Sequence, residues 1–83
     1  MFKNKAENGR NNICGTRIAE LRKSAVPKMS QRILADKMQL LGVDVDKNAI
    51  QRIETGQRFV TDIELIALKN VFNVSYEFLL EDT

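Results

Sequence analysis

The sequence has no histidine, no tryptophan, a single cysteine (Cys14) and a single proline (Pro27) among its 83 residues. Without histidine, and with one thiol, it lacks the ligands of a zinc finger, the partner for a disulfide, and any Cys-His or Ser-His-Asp catalytic set. Metal-ligand clusters and a glycine-rich phosphate loop are missing too, so neither an enzyme nor a bound cofactor is expected. No apolar run approaches the length of a membrane-spanning helix, and the opening MFKNKAENGRNN lacks the apolar centre of a signal peptide. A soluble, cytoplasmic chain with no membrane partner is the expectation. Nor does charge of one sign dominate: 13 Lys and Arg against 11 Asp and Glu leave a net charge of +2, far from a histone-like excess. Glu77, Glu81 and Asp82 make the C-terminal end acidic, which places the basic excess between Lys3 and Arg58.

What the chain does contain is helical periodicity. Its length suits one domain with three to five short helices around one core. Residues 1–12 are polar and without apolar period, and read as a flexible arm. That arm is either a disordered leader or a basic segment reaching a polyanion through Lys3, Lys5 and Arg10. Residues 13–83 form the domain. Cys14, Ile18, Leu21 and Ala25 recur at helical spacing from Ile13 to about Ala25, and Pro27 stops that helix. Ser30 offers a cap to a second helix with Leu34, Ala35, Met38 and Leu41 as its apolar stripe and Gly42 as its stop. Val43 to Asp46 reads as a short linker whose last residue caps a third helix, Lys47 to Thr55, ended by Gly56 and anchored only by Ile50 and Ile53. Thr61 or Asp62 caps a fourth helix with Leu65, Leu68, Val71 and Phe72 inward, and Asn73 takes its left-handed end position. Ser75 caps a last helix, Tyr76 to Leu80, packed through Phe78 and Leu79. The fold class is therefore all-α, a five-helix bundle.

The second and third helices form a helix-turn-helix candidate, Gln31 to Gly42 followed by Lys47 to Thr55. A major groove accepts one helix, and reading bases there takes side chains with paired donors and acceptors near the helix start. Lys47, Asn48, Gln51 and Arg52 are of that kind, and they lie away from Ile50 and Ile53 or at the edge of that face. An ordinary solvated helix face has the same composition. At Ser30 and Gln31, unpaired amides and the positive end of the second helix attract a phosphate, or Ser30 serves only as a cap.

Six stretches carry a resemblance: IAELR (18–22), SQ (30–31), LADKM (34–38), LGV (41–43), IQRIETG (50–56) and VSYEFLL (74–80). In that order they resemble the Cro/C1-type, or Xre, family of bacterial and phage helix-turn-helix regulators, over nearly everything after residue 12. The resemblance implies a lambda-repressor-like domain that binds double-stranded DNA as a homodimer and regulates transcription, as a repressor. It implies base contacts from Lys47, Asn48, Gln51 and Arg52, and a backbone contact from Gln31 beside Ser30; Gln57, Arg58 and Thr61, which follow the third helix, would lie along the same backbone, or Arg58 is an ordinary solvated loop charge. It also implies an ion pair between Arg22 and Glu54 that ties the first helix to the third. Ile63, Ile66 and Leu80 are the spare apolar groups for a dimer surface. Three features depart from the family pattern: extra residues around Val26 to Lys28, a longer span from Leu34 to Ile50, and Lys69 where a small apolar residue is usual. The alternative is a protein-interaction module on the same scaffold, such as an antitoxin or an adaptor controlled by an antirepressor.

Overall fold

The computed structural model describes residues 9–81. They form five helices, α1 (Gly15–Ser24), α2 (Gln31–Leu40), α3 (Lys47–Thr55), α4 (Asp62–Phe72) and α5 (Tyr76–Leu80), with no strand among the described residues. α3 packs against both α1 and α2, α2 also against α4, and α1 against α5. The core between them is built from Cys14, Ile18, Leu34, Ala35, Met38, Ile50, Ile53, Ala67, Leu68 and Leu79, all buried. No helix among the described residues is long and apolar enough to cross a membrane.

Local side-chain chemistry sets the helix starts. Ser30, Asp46, Thr61 and Ser75 each accept a hydrogen bond from the backbone amide three residues on, which removes one of the unpaired donors at a helix start. At α4 the arrangement is reciprocal, because the Glu64 carboxylate also accepts from the Thr61 amide. Thr61, rather than Asp62, is therefore the cap. α1 starts at Gly15, two residues later than its apolar period suggests, and Ala25 lies just past its end, half-buried.

The connection from α2 to α3 differs from the expected linker. Gly42, at φ +85, reverses the chain so that the Gly42 amide reaches the Gln39 carbonyl and the Val43 amide reaches the Met38 carbonyl. This turn folds Val43 back into the core beside Met38, and Val45 is buried with it. Leu41, expected on the inward stripe, is half exposed instead, because the helix ends at Leu40 and Leu41 leaves the helical course. The long connection is thus held at both valines. Two further positions depart from expectation. Phe78 is exposed rather than packed inward, its ring lying 5.0 Å from the Arg17 guanidinium carbon, and Leu79 alone carries the burial of α5. Lys69 is half-buried, with its ammonium 5.1 Å from the Tyr76 ring centre, so its stem follows the helix surface and its charge ends on an aromatic face.

Candidate nucleic-acid interface

The two faces of α3 differ in their partners. Ala49, Ile50 and Ile53 are buried, while Lys47, Asn48, Gln51 and Arg52 are all exposed. None of these four side chains makes a hydrogen bond or ion pair with another described residue, so their donors and acceptors face solvent. Asp46 caps the start of the helix, and left-handed Gly56 ends it by bringing the Gln57 amide to the Arg52 carbonyl. Ala49 is a third anchor beside the expected Ile50 and Ile53, and its single methyl group gives little apolar signal in the sequence.

Behind this face lies a charged cluster that joins three helices. Arg22 of α1 meets Glu54 of α3 through two bonds, Nε to Oε2 at 2.7 Å and Nη2 to Oε1 at 3.0 Å. The two side chains are only 11% and 8% exposed. Gln31, at the start of α2, donates its Nε2 to the same Oε1 at 3.0 Å, and Arg22 Nη1 donates to the Met29 carbonyl. The hydrogen bond to Glu54 raises the Arg22 pKa above its ordinary value despite the opposing effect of burial, so the guanidinium is charged throughout. Gln31, expected on the DNA backbone, therefore has one amide hydrogen engaged on Glu54 and a second left over.

Residues 10–12, the described end of the expected arm, hydrogen-bond to the end of α3. The Asn11 amide donates to the Gly56 carbonyl at 2.7 Å, and its side chain donates to the Gln57 carbonyl at 2.8 Å. Asn12 Nδ2 donates to the carbonyls of Ile53 and Arg58, while its Oδ1 accepts from the Gly15 amide at the start of α1. Arg10 Nη2 reaches the Glu54 carbonyl at 2.8 Å. Asn11 and Asn12, expected within the arm, thus cap the C-terminal end of α3, where carbonyls lack helical partners and a cation is favoured. Lys3 and Lys5, the other proposed arm cations, lie outside the described residues, as do residues 1–8 generally.

The loop after α3 carries Gln57, Arg58 and Thr61, all expected along a DNA backbone. Gln57 is exposed, and the Thr61 hydroxyl caps α4. Arg58 is not a solvated loop charge: its Nη1 lies 2.7 Å from the Glu64 carboxylate, which is itself buried. Burial pushes the Glu64 carboxyl upward, but hydrogen bonds from Arg58 and Thr61 outweigh it and hold the group below its ordinary value. The signal for Glu64 was present in the sequence as Thr-Asp-Ile-Glu, a capping box that places a glutamate three residues after the cap.

Cys14 is buried, and desolvation pushes its thiol up to about 11, so it packs as a small hydrophobe. Among the described residues no group of His, Cys, Asp or Glu side chains gathers that could hold a metal ion. Ile63, Ile66 and Leu80 are exposed, as are Phe59 and Tyr76. Compared with known proteins, the chain matches no family model, no curated protein and no solved structure.

Proposed function

We propose that the chain is a sequence-specific, double-stranded DNA-binding regulator that reads the major groove with α3 and acts as a repressor by occupying its site. The observation that carries this reading is the division of α3. Three apolar residues hold it down, and four side chains suited to base edges stand exposed and uncommitted on the other side. Arginine pairs with guanine through two hydrogen bonds, and asparagine or glutamine pairs with adenine in the same way. Ser30 and Gln31, at the positive end of α2, and Gln57 and Thr61, after α3, grip phosphates on either side of the groove. Arg58 contributes charge to that strand while remaining bound to Glu64. One helix spans few base pairs, so the proposal includes a homodimer on half-sites about 34 Å apart, with Ile63, Ile66 and Leu80 in its interface.

Selection of bound duplexes from a random pool at low salt tests the reading. Enrichment of a two-fold-related site is the expected result, with affinity falling steeply as salt rises through counterion release. No enrichment at any salt rejects DNA reading and turns attention to a protein partner on the same scaffold. On the selected site, Arg52→Ala relaxes base preference at one position at a cost of about 1 to 3 kcal/mol, whereas Gln31→Ala weakens all duplexes alike. Equal losses on every duplex for Arg52→Ala would remove it from the base-reading set.

A further inference from the structure

The segment Arg10 to Asn12 joins the start of α1 to the end of α3 and to the loop behind it, and none of its polar atoms is needed to build a helix of its own. Asn12 is the hub. Its acceptor holds the Gly15 amide at 2.8 Å, and its donor is shared between Ile53 at 3.0 Å and Arg58 at 2.7 Å. Asn11 adds two bonds to Gly56 and Gln57, and Arg10 adds one to Glu54. The carbonyls of residues 53, 54, 56, 57 and 58 are therefore all held by three successive residues. Gly15 and Gly56 allow this approach. A Cβ at Gly15 would collide with the Ile53 carbonyl, and one at Gly56, already at φ +84, would meet the Arg10 side chain at 2.8 Å.

We infer that Arg10, Asn11 and Asn12 are positioning residues for the reading helix: a clasp that fixes the C-terminal end of α3 and the direction in which the Gln57 to Thr61 loop departs. This rests on the proposed DNA reading. Base pairing by Lys47, Asn48, Gln51 and Arg52 depends on the pitch of α3 relative to α2, whose Ser30 and Gln31 sit on phosphates. One end of α3 is set by Asp46 and the buried valines, and the other by the clasp. A loosened clasp lets α3 tilt, which disturbs base contacts before it disturbs the phosphate attraction common to all sequences.

Asn12→Asp is the discriminating variant. It keeps an acceptor for the Gly15 amide and loses the donor to Ile53 and Arg58. Two readouts are taken on the full chain: amide hydrogen exchange without DNA, and the ratio of affinities for the selected duplex and an unrelated duplex. Exchange at Gly56 to Arg58 should rise about tenfold, and the affinity ratio should fall about tenfold with binding to the unrelated duplex nearly unchanged. Arg10→Lys, which keeps a cation at the end of α3, should retain most of the ratio, and Arg10→Ala should not. If Asn12→Asp does not fold, Asn11→Ala removes only the bond to Gln57 and should show the same pattern at smaller size. Exchange like that of the unsubstituted chain overturns the clasp itself. Raised exchange with an unchanged ratio, or equal losses on both duplexes, overturns its positioning role. An unsubstituted chain that selects no duplex rejects the proposed function and, with it, the specificity half of this inference, while the exchange result still decides whether the clasp exists.

Discussion

Replacing Glu54 with alanine removes the acceptor on which two helices converge on α3. The carboxylate takes bonds from Arg22 Nε at 2.7 Å, Arg22 Nη2 at 3.0 Å and Gln31 Nε2 at 3.0 Å. With Glu54 gone, Arg22 keeps only the Met29 carbonyl, and its side chain is 11% exposed, too little for water to restore the loss. Breaking one partner of such a buried pair costs about 3 to 5 kcal/mol, against under about 1 kcal/mol for an exposed pair. A chain of this length has a total stability of roughly 4 to 12 kcal/mol, so Glu54→Ala should remove about a quarter of it or more. Urea unfolding followed by far-ultraviolet circular dichroism measures the loss, read from the midpoint at unchanged slope. Replacing both partners, Arg22→Met with Glu54→Leu, should recover most of it, because the penalty lies in the orphaned charge rather than in the absent pair. A loss below about 1 kcal/mol for Glu54→Ala, or additive losses in the cycle, would refute the argument that the cluster is desolvated and coupled.

Three further outcomes are expected. The Glu64 carboxyl is held below its ordinary value of 4.5, so its contribution is fully present above that pH and is lost as pH falls through the lower folded value; urea midpoints between pH 7 and 3 should fall less steeply in Glu64→Gln. Gly15→Ala should destabilise by about 1 to 3 kcal/mol through collision with the Ile53 carbonyl, whereas the same change in an open helix stabilises by about 0.5 to 1 kcal/mol, so the sign of the urea midpoint shift decides. Cys14, with its thiol pushed from 9.0 up to about 11, should react with iodoacetamide at pH 8 roughly a hundredfold more slowly in the folded chain than in urea.

Residues that act within one turn of themselves were legible from sequence. Ser30, Asp46 and Ser75 cap the helices their positions suggest, and Gly56 and Asn73 adopt the left-handed ends expected of them. The Arg22 and Glu54 contact was expected only from the resemblance, since a separation of 32 positions conceals it from any local rule. What stayed hidden depends on where the chain returns. Val43 and Val45 read as linker because the turn at Gly42, not a helical period, puts them in the core. Asn11 and Asn12 read as arm because their partners lie 41 to 46 residues away. Phe78 read as core because apolar character does not reveal that Arg17 covers its ring from outside. Within the candidate interface, the exposed set on α3 was visible from its wheel, but the commitments of Gln31 to Glu54 and Arg58 to Glu64 were not.

The asparagine clasp also bears on the order of events during folding. Its bonds close a ring of more than 40 residues around α1, α2 and α3, and closing a flexible ring of that size costs roughly 3 kcal/mol of chain entropy. Single hydrogen bonds of about 1 kcal/mol cannot initiate such a closure, so the clasp forms after the helices have collapsed together. Its loss should therefore speed unfolding and leave the folding rate nearly unchanged. Asn11 and Asn12 act as a latch on an assembled domain: they determine how long the C-terminal end of α3 stays shut, not how quickly the domain is made.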